Sequence, residues 1–239
     1  MIDIHCHLLY GVDDGADTID TSIAMIDDAV SRGITDIILT PHYRRGMFVF
    51  DLETIRVNYE QLVKATEDRQ VRLYLGCEYH VNSDMVEYMR QGRTITMADS
   101  DYVLTEYSYD SSAQLIRNNL DDLLSNGYIP VIAHAERYEV VEKDPGVLAQ
   151  YRRMGALIQI NADSIIGKDG FAMKKQCRKI LKNDLADMVA SDSHDMRDRK
   201  NHMPECMAYI IKKYGEEAAK KLFETNPRKI IEGTQRTIE

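Results

Sequence analysis

The chain has 239 residues with 44% hydrophobic residues, enough for one large domain with a core of its own. Its formal net charge of −9 argues against a nucleic-acid-binding surface, which needs a basic patch, although bound metal ions would still allow a phosphate substrate. No apolar run approaches the roughly 18 residues that a membrane-spanning helix needs, so no membrane insertion is expected.

Short β-branched runs alternate with amphipathic stretches along the chain. The pattern predicts seven strands, at residues 2–5, 36–40, 72–75, 102–105, 130–133, 157–160 and 188–190. It predicts helices at residues 20–32, 52–67, 85–90, 112–125, 146–154, 171–182, 202–214 and 216–224. Gly33, Gly127 and Gly155 each lie where a helix should end. Asn226-Pro227 has the form of an N-cap followed by proline at the first helical position, which predicts a final short helix.

Seven β-α units in succession predict a parallel sheet with helices on the outside, and therefore an α/β fold. Strand segments such as 37–39 and 131–133 are apolar throughout, which indicates burial on both faces. We therefore predict a closed barrel of about seven strands rather than an open sheet. No linker, repeat or low-complexity segment interrupts the pattern, so one domain is expected over residues 1–239.

The four cysteines, Cys6, Cys77, Cys177 and Cys206, show no C-x-x-C spacing. Because the first predicted strand begins at the initiator methionine, we expect no signal peptide, a cytoplasmic location and free thiols. Cysteine-based phosphatase chemistry needs an arginine six residues after the cysteine. Those positions hold Val12, Ser83, Asn183 and Lys212, so the sequence does not support that mechanism.

An H-x-H pair, His5 and His7, ends the first predicted strand. Residues i and i+2 of a strand face the same side, so the two imidazoles would lie together as half of a metal site. Taken alone, the pair is equally compatible with two surface histidines. However, five of the seven histidines fall at predicted strand ends, and every strand delivers a His, Asp, Glu or Asn there. In a β/α barrel these ends converge on one face.

Nine residues at these strand ends are predicted metal ligands: His5, His7, Asp14, His42, Glu78, Glu106, His134, Asp192 and His194. Nine ligands exceed the coordination of one ion and suit two or three ions with a bridging carboxylate. Imidazole and carboxylate without thiolate suit Mn, Fe or Zn better than Mg or Ca. For any single member of the set, a helix cap or a solvated loop charge is the alternative.

Charge favours a phosphate substrate at this site. Four carboxylates and three divalent ions leave a charge of about +2, which favours a dianion such as a phosphate monoester. Arg137 and Arg199 follow strand ends, and a guanidinium binds phosphate through two parallel hydrogen bonds. With Asp14 and His42 they are the predicted catalytic residues. Asp13, His42 and metal-bound water stay unranked as the acid for the leaving group.

The motifs around these residues resemble those of the polymerase and histidinol phosphatase (PHP) superfamily. They are M-I-D-I-H-x-H, D-D-G, T-P-H, G-x-E, T-E, A-H-x-E-R-Y and A-S-D-x-H. They are more similar still to its branch of manganese-dependent protein-tyrosine phosphatases from capsule and exopolysaccharide operons of Gram-positive bacteria. The resemblance runs from Met1 to the N-P-R-K-I motif at residues 226–230.

This resemblance implies a distorted (β/α)7 TIM-like barrel with three divalent ions at the C-terminal ends of the strands. Manganese is the first choice, with iron, zinc or cobalt as alternatives. The first ion would be held by His5, His7, Glu78 and Asp192, the second by Glu78, Glu106 and His134, and the third by Asp14, His42 and His194. Arg137 and Arg199 match the family's phosphate-binding arginines.

The substrate implied by the resemblance is phosphotyrosine on a cognate tyrosine autokinase that regulates capsule or exopolysaccharide synthesis. A metal-bridging hydroxide would attack phosphorus directly, without a phosphoenzyme. Three alternatives stay open: a small-molecule phosphomonoesterase such as histidinol phosphatase, a metal-dependent nuclease or phosphodiesterase, and a non-catalytic metal-binding regulator. The net negative charge argues against a nuclease or phosphodiesterase, and the complete set of predicted ligands argues against a non-catalytic regulator.

Two apolar segments have open interpretations. Met47, Phe48 and Phe50 form the tip of a strand-end loop, which either grips an aromatic ring or a protein partner, or folds inward. The apolar helical positions at residues 25–26 and 30 either pack inside or form a contact between subunits. A homo-oligomer therefore stays open.

Overall fold

Parallel strands curl into a distorted barrel in the computed structural model, which describes residues 1–48 and 51–233. The nine strands of the described residues are β1 (Ile2–Cys6), β2 (Asp36–Leu39), β3 (His42–Tyr43), β4 (Arg72–Leu75), β5 (Glu78–His80), β6 (Tyr102–Glu106), β7 (Ile129–Ile132), β8 (Leu157–Asn161) and β9 (Met188–Ala190). They pair in the orders β1-β2-β4 and β3-β5-β6-β7-β8-β9, and every pair is parallel. The predicted α/β fold and its seven strands are confirmed as a distorted barrel, but the strands form two sheets and do not close into one continuous ladder.

Two short strands, β3 and β5, are not indicated by the sequence pattern. Each continues its predecessor after a two-residue break, β2 into β3 and β4 into β5. Backbone hydrogen bonds cross the breaks, since the Gly76 amide donates to the Leu39 carbonyl (2.8 Å) and the Glu78 amide donates to the Pro41 carbonyl (3.1 Å). Each pair is therefore one bent barrel strand. The bends place His42 and Glu78 in register as partners on neighbouring strands.

The barrel is joined between β1 and β9 by a short seam rather than a full ladder. Cys6 and Ser193 form an isolated parallel bridge. The His7 amide donates to the Ser193 carbonyl (2.8 Å), and the Asp192 amide donates to the His5 carbonyl (2.9 Å). The seam thus joins the two histidines of the first strand to the segment that follows the last strand.

Asp3 strengthens this seam from a buried position. Its carboxylate accepts hydrogen bonds from the Ser191 hydroxyl (2.6 Å), the Ser191 amide (3.1 Å) and Asn201 Nδ2 (3.0 Å). Burial raises the pKa of Asp3, against the opposing effect of the bonds from Ser191. A buried carboxylate with this many donors fixes the loop after β9 against β1.

Apolar side chains fill both the barrel and the layer between barrel and helices. Ile2, Ile38, Leu104 and Met188 pack inside the barrel, and Ile230 near the C-terminus joins this cluster. The opposite faces of the same strands pack against the helices in a larger outer cluster. Burial on both faces explains why the strands read as continuous apolar runs.

The helices surround the barrel. Their bounds are α1 (Ile19–Ser31), α2 (Leu52–Ala65), α3 (Met85–Arg90), α4 (Ala113–Ser125), α5 (Glu139–Lys143), α6 (Val147–Met154), α7 (Ala162–Ile166), α8 (Phe171–Lys182), α9 (Met203–Tyr214), α10 (Glu216–Lys220) and α11 (Asn226–Glu232). Helices α5 and α7 have five residues each, too few to give a periodic signal. The three predicted glycine stops are confirmed by positive φ angles at Gly33, Gly127 and Gly155.

The predicted short helix at Asn226 is confirmed as α11, but the predicted N-cap role of Asn226 is wrong. Helical backbone continues from α10 into α11 through a π-helical turn at Lys221–Thr225, and Thr225 itself has helical angles (φ −66°, ψ −47°). The Asn226 side chain donates to the Asp187 carbonyl instead (2.8 Å). The π-helical turn directly precedes Pro227, whose missing N–H cannot continue the regular ladder.

The cysteines, the apolar stretch of α1 and the lengths of the helices each bear on a prediction made from composition. All four cysteines are free, as predicted, and the structure places all four in buried positions. Met25 and Ile26 are buried in the outer core, and the partly buried Val30 packs against it, so these positions pack inside. Within residues 1–48 and 51–233, no helix is both long enough and apolar enough to cross a membrane.

Helix α4 provides a matched test of the core. Leu120 is fully buried, whereas Leu115 on the same helix is 48% exposed. Leu120→Ala should lower the free energy of unfolding by about 2 to 5 kcal/mol because it leaves a cavity, and Leu115→Ala by no more than about 0.5 kcal/mol. Urea unfolding followed by circular dichroism measures both. Equal losses in the two variants would contradict the packing described for α4.

Candidate metal centre

Glu78 lies in the middle of four imidazoles at the C-terminal face of the barrel. Its Oε2 atom is 3.0 Å from His42 Nδ1, 3.2 Å from His5 Nε2 and 3.3 Å from His7 Nε2. Its Oε1 atom is 2.9 Å from His134 Nε2. Glu78 is fully buried, and the bend between β4 and β5 brings it to this position. One carboxylate therefore contacts histidines from three different strand ends.

Asp192 approaches the H-x-H pair from the seam between β1 and β9. Its Oδ1 atom is 3.5 Å from His5 Nε2 and 3.6 Å from His7 Nε2. Its Oδ2 atom accepts hydrogen bonds from Arg137 (2.9 Å) and from Asn161 Nδ2 (2.8 Å). The carboxylate is thus held by two donors on one side and presents its other oxygen to the histidines.

Asp14 and Glu106 occupy two edges of the cluster. Asp14 Oδ1 is 3.4 Å from His194 Nε2 and 3.5 Å from His42 Nε2. Glu106 Oε1 is 3.9 Å from His134 Nε2. Asp14 is the most exposed member of the cluster, since its side chain is 46% accessible. It therefore lies at the mouth of the site, where a ligand would enter.

The backbone is strained at two of the predicted ligands. His134 has a φ of +31° and Asp192 a φ of +54°, both in the left-handed region that non-glycine residues rarely adopt. Each follows a strand, β7 and β9 respectively. Strain of this kind persists only where the surrounding structure over-determines it, and it clusters at functional sites.

The structure brings all nine predicted ligands together. Eight of them fall into three overlapping groups whose donor atoms lie within 4.8 Å of one another: His5, His7 and Asp192; His7, Asp14, His42 and His194; and His42, Glu78 and Glu106. The ninth, His134, contacts Glu78. This grouping shares His7 and His42 between neighbouring groups, whereas the sets implied by the sequence resemblance assign each of these histidines to one ion.

Several donor atoms of the cluster have no hydrogen-bonding partner in the described part of the chain. They are His42 Nδ1, Glu78 Oε2, Glu106 Oε2 and His194 Nε2, all buried. Their close neighbours do not have hydrogen-bond geometry. Unpaired buried polar atoms are costly. Imidazole nitrogens and carboxylate oxygens directed at common points are the donors that divalent transition metals prefer, so the residues fit a metal centre.

Three side chains outside the nine orient the imidazoles, and the sequence analysis does not identify this role. His7 Nδ1 donates to Asp13 Oδ2 (2.7 Å), and His5 Nδ1 donates to Gln159 Oε1 (3.1 Å). The Tyr138 hydroxyl lies 3.4 Å from Nδ1 of His134. Each contact engages Nδ1 and leaves Nε2 for the cluster, as outer-shell partners of metal-binding histidines do.

Asp13 has the strongest of these supporting positions. Its side chain is fully buried, and besides His7 it accepts hydrogen bonds from the Gly15 amide (2.9 Å) and the His42 amide (3.0 Å). From the sequence alone, Asp13 is one of three unranked candidates for the acid that protonates the leaving group. The available sequence signal was its place in the D-D-G motif, which does not distinguish Asp13 from Asp14.

Charge in the cluster keeps its acidic groups ionised. Burial alone would raise the pKa of Glu78, but the charge of His5 and the neighbouring imidazoles hold this pKa well below its usual range. Burial lowers the pKa of His7, yet the charges of Asp13 and Glu78 more than offset this and raise it well above its usual value. The raised pKa values of His5 and His7 mean that protons compete with cations for these two imidazoles.

Both predicted arginines lie at the mouth of the cluster. Arg137 pairs with Asp192, and Arg199 Nη1 donates to Asp14 Oδ2 (3.2 Å). Arg199 Nη2 is also 3.6 Å from Asp192 Oδ1. The two side chains are 38% and 44% exposed, so each guanidinium is accessible while facing the buried donors.

Phe48 covers one edge of this mouth. Its ring stacks on His42 with centroids 5.1 Å apart and an interplanar angle of 4°. Met47 is 60% exposed, and Phe50 lies outside the described residues. The loop therefore turns one aromatic ring toward the cluster and one apolar side chain toward solvent.

The two remaining histidines, His80 and His202, lie outside the cluster. His202 is at the N-terminus of α9, and its Nδ1 is 2.8 Å from Asp163 Oδ1. His80 is half-buried, with Nε2 3.3 Å from the Ser108 hydroxyl. Both have structural partners away from the nine ligands.

Comparison with known proteins shows similarity over nearly the whole chain. A family model described as "Capsular polysaccharide synthesis, CpsB/CapC" matches residues 1–232. Tyrosine-protein phosphatase CpsB of Streptococcus pneumoniae is 37% identical over 239 residues, covering 97% of this chain and 98% of that protein. A solved structure from work on YwqE of Bacillus subtilis and CpsB of S. pneumoniae, described as metal-dependent tyrosine phosphatases, is also similar. It matches with a TM-score of 0.91 and 32% identity, and the match covers 100% of this chain and 96% of that chain.

A histidinol phosphate phosphatase from Lactococcus lactis, solved with zinc, histidinol and phosphate, shares the fold. It matches with a TM-score of 0.58 at 18% identity, covering 90% of this chain and 93% of that chain. At this identity the likeness concerns the barrel alone.

Asp13 can be tested through metal binding. Because it fixes the ring of His7, Asp13→Ala should weaken Mn²⁺ binding by about 10- to 100-fold. Asp17→Ala removes the same charge from an exposed position in the same loop and should leave Mn²⁺ affinity unchanged. Titration calorimetry on chelator-treated protein measures both. Equal Mn²⁺ affinities for Asp13→Ala and the unmodified protein would contradict the supporting role of Asp13.

Proposed function

The chain belongs to the CpsB/CapC family of capsular polysaccharide synthesis proteins, and we propose that it hydrolyses phosphotyrosine in proteins. It is a metal-dependent tyrosine phosphatase, and the resemblance seen in its sequence motifs is confirmed. The observation that carries this function is the buried cluster of five imidazoles and four carboxylates under two accessible arginines.

We assign three divalent ions to the cluster, manganese first, with iron, zinc or cobalt as alternatives. Five imidazoles, four carboxylates and no thiolate support this choice. The three overlapping groups of donors support the number. Ions bound there would supply positive charge and lower the pKa of a water molecule to about 7, which makes hydroxide available at neutral pH.

The arginines bind and orient the phosphoryl group. Arg137 enters from the segment after β7 and Arg199 from the loop after β9, so the two guanidinium groups approach the mouth from different strand ends. In the described structure they pair with Asp192 and Asp14. A phosphate dianion offers them stronger acceptors in the same geometry, because planar guanidinium groups bind phosphate oxygens through parallel hydrogen bonds.

A cysteine nucleophile is not available to this site. All four thiols are buried in apolar surroundings, and burial raises the pKa of Cys77, the cysteine next to Glu78 in the chain. Cys6 lies in the outer core, and its Sγ donates to the Ile38 carbonyl. The proposed reaction is therefore hydrolysis without a phosphoenzyme. An oxygen from water forms a bond to phosphorus while the bond from phosphorus to the tyrosyl oxygen breaks, and tyrosine and inorganic phosphate are released.

The mouth of the site suits an aromatic leaving group. Phe48 stacks on His42 at the edge of the cluster, where the ring of a phosphotyrosine would pass. Aromatic rings pack favourably against each other in offset or edge-on contact. This feature favours a phosphotyrosyl substrate over histidinol phosphate, although imidazole is also a flat ring.

The proposed protein substrate is a tyrosine autokinase that regulates capsule or exopolysaccharide synthesis. The family's description in capsular polysaccharide synthesis supports it. A cytoplasmic location is supported by the four free thiols, which are typical of a reducing compartment. We treat residues 1–239 as one domain, and a homo-oligomer stays a prediction.

Metal removal tests the reaction. Chelator-treated protein should lose hydrolysis of p-nitrophenyl phosphate, and Mn²⁺, Co²⁺, Zn²⁺ or Fe²⁺ should restore it. With the best metal, kcat/KM should be higher for a phosphotyrosyl peptide than for histidinol phosphate. A strong preference for histidinol phosphate would instead identify a small-molecule phosphomonoesterase, and inactivity with every metal would remove the enzymatic proposal.

Two variants separate metal binding from phosphate binding. Glu78→Ala should lose two of three ions per chain, because this carboxylate contacts four of the imidazoles. Arg137→Ala should keep all ions and weaken inhibition by inorganic phosphate by about tenfold or more, since it removes one charged hydrogen-bonding partner. Elemental analysis and inhibition assays measure these effects. Glu60→Ala, at an exposed position on α2, is the control, and a Glu78→Ala protein with full metal content would contradict the assignment.

A further inference from the structure

Helix α8 has an unusual charge for this chain. Its twelve residues carry five cations and no carboxylate, whereas the whole chain has a net charge of −9. The cations are Lys174, Lys175, Arg178, Lys179 and Lys182. Two of them, Lys175 and Lys179, are one helical turn apart and line a cavity of about 270 Å³ together with Arg137. A phosphate-binding arginine and two lysines therefore share one concave surface.

Two other cations of α8, Lys174 and Arg178, already have partners outside the cavity. Lys174 Nζ donates to the Ile166 carbonyl (2.7 Å) and lies over the ring of Tyr209. Arg178 Nε donates to the hydroxyl of the same tyrosine (3.3 Å). By contrast, Lys175 and Lys179 are exposed, and their ammonium groups form no hydrogen bond or ion pair with any residue that the structure describes. Their charges are available to a ligand.

The cavity also contains two carboxylates, and each has a partner. Glu136 is buried beside Arg137, and its Oε1 accepts a hydrogen bond from the Asn161 amide (3.0 Å). Burial raises the pKa of this carboxyl despite the neighbouring positive charge of Arg137, which favours its uncharged form. Glu142 accepts a hydrogen bond from the Tyr109 hydroxyl (3.2 Å). The accessible side of the cavity formed by α8 is therefore cationic.

We propose that this cavity binds acidic side chains that flank the phosphotyrosine of the protein substrate. The inference rests on the proposed function, because Arg137 links the cavity to the phosphate site. A peptide whose phosphoryl group reaches Arg137 has neighbouring residues within reach of Lys175 and Lys179. The acidic surface elsewhere repels such a peptide, so the lysines select where its carboxylates dock. Tyr109 and Met173 provide apolar walls for the peptide chain.

The test compares two phosphotyrosyl peptides of equal length, one with aspartates and one with asparagines beside the phosphotyrosine. The metal-loaded protein should show the higher kcat/KM for the aspartate peptide. Lys175→Ala/Lys179→Ala should lower kcat/KM for that peptide by about two- to fivefold for each exposed ion pair lost. It should leave turnover of the asparagine peptide and of p-nitrophenyl phosphate unchanged, and added salt should reduce the preference.

Lys212→Ala/Lys213→Ala on α9 is the matched control, since it removes two exposed lysines that do not line the cavity. An equal loss in this control would show a general charge effect and overturn the inference, as would equal turnover of the two peptides by the unmodified protein. Lysine-dependent binding to phosphatidylserine vesicles without peptide preference would identify a membrane surface instead. Turnover of p-nitrophenyl phosphate but of neither peptide would overturn the proposed function as well.

Discussion

The carboxylate of Glu78, buried among four imidazoles, is the contact on which the functional end of this barrel depends. Its two oxygens lie within 3.3 Å of nitrogens from His5, His7, His42 and His134. An arrangement this dense in unpaired donors costs free energy unless cations hold the donors together. The bend between β4 and β5, the strained backbone at His134 and the seam after β1 all serve to place these side chains. A phosphatase that uses bound metals can tolerate such local strain because the ions stabilise the centre.

The charged and polar side chains of the site form successive layers, from the outer supports of the imidazoles to the accessible mouth. Asp13 and Gln159 engage the outer nitrogens of the imidazoles and fix their orientation. The nine proposed ligands form the next layer, and Arg137 and Arg199 form the accessible one. Beyond Arg137 the cationic side of α8 extends the same positive region along the surface. A chain with a net charge of −9 therefore presents cations beside the site where a phosphorylated, negatively charged segment is proposed to bind, which favours productive orientation over general attraction.

The parts of the fold that the sequence pattern misses have local physical causes. Strands β3 and β5 have two and three residues, too few for alternation, and their pairing depends on hydrogen bonds across the breaks that precede them. Asn226-Pro227 has the composition of a capped helix start. The Asn226 side chain instead donates a hydrogen bond to the Asp187 carbonyl, and a π-helical turn continues the helical backbone from α10 into α11. Propensity is a weak prior, and a tertiary hydrogen bond is enough to override it.

By itself the sequence determined the order of strands and helices, the barrel and the candidate ligands, because strand ends and residue types are local properties of the chain. It also contained the family's motifs, which identified the chemistry. Only the tertiary structure decided which ligands meet. His42 reaches both Glu78 and Asp14 because β3 and β5 are paired, and Asp13 and Asp14 diverge because one faces His7 and the other the mouth. Likewise, only folding places Lys175 and Lys179 beside Arg137, since contact between distant segments depends on packing and not on spacing in the chain.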